Sequence, residues 1–450
     1  MSRLHDQRHH DGSGITRRAL LAASAAGGLA IAGAAPAGAA VGSARRPASQ
    51  RNSWFESLEP FYPGQEPVGT DEMRISFMGT SPIPRLAQSC GSVFVELGNG
   101  DSFLFDAGTG VMEKYNSMKV RMKQMDRIFL THLHGDHTND LTHIFDFGPS
   151  LDRKSPLYVW GPSRSDIPDP VTGEIYDDGT SAFCRLLRET NRWHTEAFSF
   201  LPTSYQGFVP PPWDPAGHRD GYDLVAAELD WRTVGGVAYD YNGVRITHFP
   251  AVHDRQGSIS YKLEWNGLSM VFSGDTKPAR YIIDQATDGV DVFIHEMVVP
   301  PEVWAHKNSG LKPGDTGWEQ AVQAAQMIEN NSHTPQKAFG YILDQLTRHP
   351  RLAIATHFQA EDDTMRAAMR DVRSWYPRGR VSIATDFYVV QVTAKEIRQR
   401  RAVVSDFAWQ TTALIAGTNP PKYRYPNGQG NPYAQLDPTA PVIPSSAYEA

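Results

Sequence analysis

A chain of 450 residues, 40% hydrophobic and 21% charged, has the length for one large or two medium domains and the texture of a globular protein. Its formal net charge of -7, with no dense Lys/Arg block, offers nucleic acid no electrostatic footprint. Two cysteines, Cys90 and Cys184, leave room for one disulfide but for no disulfide framework or cysteine zinc site, so any metal must be held by nitrogen and oxygen.

The chain opens with a targeting pattern. Thr16-Arg17-Arg18-Ala19-Leu20-Leu21 precedes an uncharged Ala/Gly-rich run to Ala40, and Ala37-Gly38-Ala39 supplies small residues for cleavage. Residues 1–40 thus resemble a twin-arginine (Tat) signal peptide, which places the mature protein in the periplasm or outside the cell. The run is too rich in Ala and Gly for a spanning helix, and no Cys near the cleavage site could carry a lipid, so no stable membrane anchor is expected. Residues 41–72 read as a linker wrapping onto the domain surface.

From residue 73 the texture changes to short apolar runs, and the main domain is expected over 73–400, with a C-terminal extension at 401–450. Strands are expected at 74–78, 92–97 and 102–106, with Gly98-Asn99-Gly100 as a hairpin turn between the last two. A helix at 141–147 and a strand at 157–162 follow. Residues 163–222 break the rhythm and read as an insertion, either surface decoration or a lid; the helical spacing at 185–200 and the Pro- and Trp-containing run at 210–215 belong to it. Strands resume near Asp230 and continue at 244–249, 259–265 and 269–272; helices at 318–331 and 335–347 precede a strand at 352–356. Strands flanked by helices on both sides indicate an α/β sandwich.

The densest chemistry lies in Thr131-His132-Leu133-His134-Gly135-Asp136-His137, directly after the apolar run Arg127-Ile128-Phe129-Leu130. Alternation at a strand end places His132 and His134 on one side, and the turn at Gly135 brings Asp136 and His137 round from another, giving two adjacent ligand sets. Three further ligand types each close an apolar strand: His253 after Phe249-Pro250-Ala251-Val252, Asp275 after Ser273-Gly274, and His357 after Ala353-Ile354-Ala355-Thr356. Ligands on one edge of a sheet converge even when distant in sequence.

This set resembles the metallo-β-lactamase superfamily, whose H-x-H-x-D-H motif His132 to His137 matches in full, and is most similar to its ribonuclease Z-like branch, which includes exported arylsulfatases. His253 followed by Ser258-Ile259-Ser260-Tyr261, then Ser273-Gly274-Asp275-Thr276, His295-Glu296 and Thr356-His357 carry the likeness over about residues 73–395. The resemblance implies a four-layer αβ/βα fold with a binuclear site. His132, His134 and His253 would hold one divalent metal, Asp136, His137 and His357 the other, and Asp275 would bridge; the donor set suits zinc, with Fe or Mn left open. A metal-bridging hydroxide would attack the substrate. Asp136, His295 and Glu296 are the expected catalytic residues, His295 donating a proton with Glu296 orienting it. Asp106 would support the His-rich loop, and His333-Thr334-Pro335 is read as a helix start capped by Thr334 rather than as part of the site. The family's basic motif near the first strands is only partly matched by Pro82-Ile83-Pro84-Arg85-Leu86-Ala87-Gln88.

The expected function is an exported binuclear hydrolase of small esters, of the phosphodiester or aryl sulfate class, with a small-molecule ester as partner, no nucleic acid, and oligomeric state left open. The alternatives are a ribonuclease Z-type nuclease or a non-catalytic metal-binding protein on the same fold, the latter opposed by the intact ligand set. Substrate selection is assigned to the insertion and its tryptophans.

Overall fold

A computed structural model describes residues 58–198 and 208–409. The signal segment 1–40, most of the linker and the extension beyond residue 409 lie outside the described residues. Among the described residues the strands, in chain order, are β1 (Glu59–Phe61), β2 (Met73–Gly79), β3 (Ser92–Leu97), β4 (Ser102–Phe105), β5 (Arg127–Phe129), β6 (Leu157–Pro162), β7 (Leu224–Leu229), β8 (Gly236–Tyr241), β9 (Val244–Pro250), β10 (Ile259–Trp265), β11 (Leu268–Phe272), β12 (Val292–Glu296), β13 (Leu352–Thr356), β14 (Val381–Ile383), β15 (Tyr388–Val392) and β16 (Ile397–Ala402). They form a nine-stranded sheet, β1-β16-β15-β2-β3-β4-β5-β6-β7, and a seven-stranded sheet, β14-β13-β12-β11-β10-β9-β8.

The sheets face each other across one apolar core. Met73, Ile75, Phe77, Phe103, Phe105 and Phe129 of the first meet Ile246, Tyr261, Leu263, Phe272, Ile294 and Ile354 of the second. Alternate residues of the same strands point outward under helices: Leu104 and Ile128 pack with Tyr115, Ile144 and Phe145, while Phe293, Ala353 and Ala355 pack with Ile282, Phe339 and Val372. The period-2 alternation of apolar residues on both faces is what makes four layers. Inside, Phe129 stacks on Trp160 at 4.7 Å with an interplanar angle of 4°. Such aromatic pairs add about 0.5–1.5 kcal/mol beyond their buried area. Phe129 is the last residue of β5 and fixes the start of the His-rich loop.

The domain begins earlier than 73: β1 pairs in parallel with β16, Phe61 opposite Ala402, so the end of the expected linker is an edge strand of the sheet. Cys90 and Cys184 are both free and buried, and no disulfide forms. No helix among the described residues is long and apolar enough to cross a membrane. In the insertion, helices Thr180–Thr190 and Arg192–Phe198 replace the single expected helix. Trp213 packs edge-on against Tyr158 at 4.4 Å, whereas Trp193 is 87% exposed.

Helix Trp318–Ser332 carries Glu329, which is buried and has an Oε1 with no hydrogen-bond partner. Burial and the neighbouring Glu302 carboxylate push it up to about 8 from its ordinary 4.5. The fold therefore holds this proton more tightly than the unfolded chain. The resulting stability is fully present below pH 4.5 and is lost as pH rises through about 8. Glu329→Gln is expected to raise Tm at pH 9 while changing it little at pH 5; equal Tm for variant and parent at pH 9 would contradict this.

Candidate metal centre

The His-rich loop is held from below by one buried carboxylate. Asp106 follows β4 at a positive φ of 60° and is fully buried. Its Oδ1 accepts from the Thr131 amide at 2.8 Å, and its Oδ2 accepts from the Thr131 hydroxyl and from His137 Nδ1, each at 2.8 Å. The loop is also tied to the opposite sheet: the Ile259 amide donates to the Thr131 carbonyl at 2.9 Å and the Tyr261 hydroxyl to the Leu130 carbonyl at 2.8 Å. Gly274, beside Asp275, adopts a φ of 59°, and a Cβ there would lie 2.5 Å from Thr131 Cβ. Only glycine lets the loop after β11 approach so closely.

Two groups of donors converge above this support, one of His132, His134 and His253 and one of Asp136, His137, Asp275 and His357, the seven residues expected from the sequence. His134 Nδ1 lies 3.1 Å from His132 Nε2 and 3.2 Å from His253 Nε2. His357 Nε2 is 3.2 Å from Asp136 Oδ2 and 3.3 Å from Asp275 Oδ2. Asp275 faces both groups, its Oδ1 3.3 Å from His137 Nε2 and its Oδ2 3.7 Å from His253 Nε2. Donors about 2.0–2.1 Å from a tetrahedral cation stand roughly 3.3 Å apart, which these separations match. The buried His137 Nε2 and Asp275 Oδ1 have no hydrogen-bond partner. His253 donates from Nδ1 to the Ser332 carbonyl at 2.8 Å, which leaves its Nε2 bare toward the centre. The residues therefore fit a pair of divalent cations.

Electrostatics agree. Burial disfavours charge on His137, but the carboxylates of Asp275 and Asp106 outweigh it and raise the imidazole well above its ordinary value. Burial also works against Asp275, yet the imidazoles of His357, His137 and His132 hold its carboxyl well below the usual range. Asp136 is held low in the same way by His137 and His357. Burial pushes His132 and His134 below the ordinary imidazole value, which favours the neutral form that a metal ligand needs. A cation would take the place of the proton that His137 otherwise keeps.

The expected catalytic pair divides. Glu296 reaches the centre, where its Oε1 accepts from the Thr276 amide at 2.7 Å. His295 does not: it is fully buried on the helix-facing side of β12, 5.7 Å from both Phe293 and Phe339, with Nδ1 bonded to the Glu296 carbonyl. Neighbours on a strand point to opposite faces, so His295 follows Phe293 while Glu296 follows Ile294. The histidine that pairs with Glu296 is His333, just after helix Trp318–Ser332. Its Nδ1 lies 3.0 Å from both Glu296 oxygens, and its ring stacks on His357 at 5.5 Å. Burial opposes the charge on His333, but Glu296 raises it to about 10. Thr334 does not cap a helix; its hydroxyl donates to the Thr276 carbonyl at 2.6 Å. The sequence marks His333 only as a histidine between a long helix and Thr-Pro, whereas His295 adjoins Glu296 in the chain.

The insertion also takes part. Ser163, Ser165 and Asp178 share a cavity of about 240 Å³ with His132, His134, His253 and Arg255, so this segment walls the centre on one side.

Several known proteins resemble parts of this chain. Residues 87–149 match the model of the metallo-beta-lactamase superfamily. The chain is 28% identical to ribonuclease Z of Mycolicibacterium gilvum (strain PYR-GCK) over 234 residues, 50% of this chain and 69% of that protein. It is likewise 28% identical to ribonuclease Z of Halobacterium salinarum (strain ATCC 29341 / DSM 671 / R1) over 269 residues, 56% of this chain and 82% of that one. Among solved structures, the metallo-beta-lactamase fold protein YhfI from Bacillus subtilis aligns with a TM-score of 0.46 and 14% identity, covering 72% of this chain and 100% of its own. The short form of human tRNase Z aligns with a TM-score of 0.44 and 18% identity, covering 70% and 98%. Residues 87–149, which hold the His-rich segment, thus carry the signature of the metallo-beta-lactamase superfamily. Over about half of its length the chain is similar to ribonuclease Z proteins.

Asp106→Asn keeps the shape of the support but removes the charge that fixes His137. Metal affinity is expected to fall about 10- to 100-fold with the fold retained. Zinc titration alongside circular dichroism checks this, and undiminished affinity would refute it.

Proposed function

We propose that this protein is a two-metal phosphodiesterase of ribonuclease Z type. The observation that carries this reading is His333, held by Glu296 beside an intact seven-residue donor set. Hydrolysis of a phosphodiester needs an attacking water, charge stabilisation at phosphorus and a proton for the departing oxygen. Divalent cations, zinc by the chemistry of the donors, would supply the first two by activating water and polarising the ester. This chain supplies the third: Glu296 keeps His333 protonated at neutral pH, and the imidazolium gives its proton to the leaving oxygen. Asp275 and Asp136 would balance the charge of the cations, and Asp106 accepts from His137 Nδ1, which fixes that ring's orientation.

The relatives named ribonuclease Z support RNA as the substrate and weigh against an activity without any nucleic acid partner. The net charge of -7, with no dense Lys/Arg block, favours a second reading, a small ester of the phosphodiester or aryl sulfate class. The metal-loaded protein, assayed with a 3′-extended precursor transfer RNA, bis(p-nitrophenyl) phosphate and p-nitrophenyl sulfate, separates the two. Turnover of the RNA supports the first reading, and turnover of the small esters alone supports the second. Failure on both phosphodiesters would overturn the phosphodiesterase reading.

Export by the twin-arginine route belongs to the same proposal, and it rests on residues 16–40 alone. Replacing Arg17 and Arg18 together by Lys is expected to retain the protein in the cytoplasm, which fractionation would show; unchanged export would refute it. His333→Asn is expected to lower kcat about 10²- to 10⁴-fold on a diester with a poor leaving group. The loss should be smaller on p-nitrophenyl esters, whose leaving group needs no proton, and metal content should be unchanged. His295→Gln should instead alter Tm and leave kcat near that of the parent. Equal losses for His333→Asn on both kinds of ester would remove the proton-donor role.

A further inference from the structure

The cavity beside the first three histidines is built by an ion pair that belongs to no part of the metal centre. Asp178, from the insertion, accepts from the Ser165 amide at 2.8 Å, from the Ser165 hydroxyl at 2.7 Å, and from Arg255 Nη2. The Arg255 guanidinium also lies over the Tyr176 ring at 5.5 Å. Gln256 donates to the Ser165 carbonyl at 2.6 Å, fastening the loop after His253 to the insertion a second time. Arg255 stands two residues from His253, so the pair is fixed relative to the centre. Hydrogen bonds from Arg255 run through Nη2, leaving Nη1 and Nε with none among the described residues.

Three properties define what such a cavity would take. The arginine is already neutralised by Asp178, so the wall carries no surplus charge to select a second anion. It presents donors on Arg255 next to an acceptor on Asp178, the pairing that a hydroxyl group satisfies in both directions. Its volume of about 240 Å³, open to solvent on one side, has room for one small ring against this wall.

We propose that this cavity is a subsite for a neutral, hydroxylated ring, a pentose attached to the scissile phosphate, and that Arg255 and Asp178 are its specificity-determining residues. The proposal rests on the phosphodiesterase reading. It moves substrate selection from the tryptophans of the insertion to its polar edge, since Trp213 is engaged with Tyr158 and Trp160.

The test compares two diesters of equal charge and identical leaving group, thymidine 5′-monophosphate p-nitrophenyl ester and methyl p-nitrophenyl phosphate, on the metal-loaded full chain. Wild type is expected to prefer the thymidine ester about 10- to 100-fold in kcat/KM, the range that hydrogen bonds to charged groups provide. Arg255→Gln and Asp178→Asn should each cut that ratio about tenfold, mainly through KM, with metal content unchanged. Equal kcat/KM on both esters in wild type, or proportional losses on both in the variants, would overturn the subsite and leave the phosphodiesterase reading intact. Hydrolysis of neither ester would instead count against the phosphodiesterase reading. Equilibrium binding then decides the subsite: thymidine 5′-monophosphate should bind about tenfold more tightly than methyl phosphate in wild type but not in Arg255→Gln, and equal binding in wild type would overturn it.

Discussion

Everything at the centre depends on a charge placed where water cannot reach. Asp106 accepts two hydrogen bonds from Thr131 and one from His137, and in doing so decides the path of the chain between those residues. A buried carboxylate is costly unless fully hydrogen-bonded. Here the hydrogen bonds that satisfy it are also the ones that shape the His-rich loop. The cost is therefore tied to a single geometry, and a loop that drifted would leave the charge unsatisfied. His132, His134 and Asp136 inherit their positions from the anchored ends of that stretch.

Much of this was legible in the sequence because the fold is regular where it matters. The strands at 92–97, 157–162, 259–265 and 352–356 coincide with β3, β6, β10 and β13, since apolar runs bounded by Gly, Pro and Asn allow few alternatives. The donor set was equally open to reading, because each ligand follows an apolar strand. What escaped were relations set by the third dimension. His295 looked catalytic because it adjoins Glu296 in the chain, yet adjacency on a strand means opposite faces. His333 lies 37 residues from its partner Glu296, and only the packing of helix Trp318–Ser332 brings the two together. Phe61 looked like part of a linker because a three-residue edge strand has too few residues to show a period.

The insertion teaches a related lesson. Its tryptophans were the conspicuous residues, and they turned out to be structural or outward-facing. The residues that meet the centre are Ser163, Ser165 and Asp178, small or polar side chains that no composition profile marks. Their significance comes from Arg255 and Gln256, nearly a hundred residues away in sequence, which fasten the insertion to the loop that carries His253.

One feature of the ligand set reaches beyond catalysis. His132, His134, Asp136 and His137 leave the first sheet, whereas His253, Asp275 and His357 leave the second. Neither sheet carries a complete donor group, so coordination of a cation would have to span the seam between them. Metal bound there would act as a rivet, its binding free energy adding to the cohesion of the two halves. The durability of the folded protein would then become a function of free metal concentration in its surroundings, and scarcity would be felt first as a loosening along the seam.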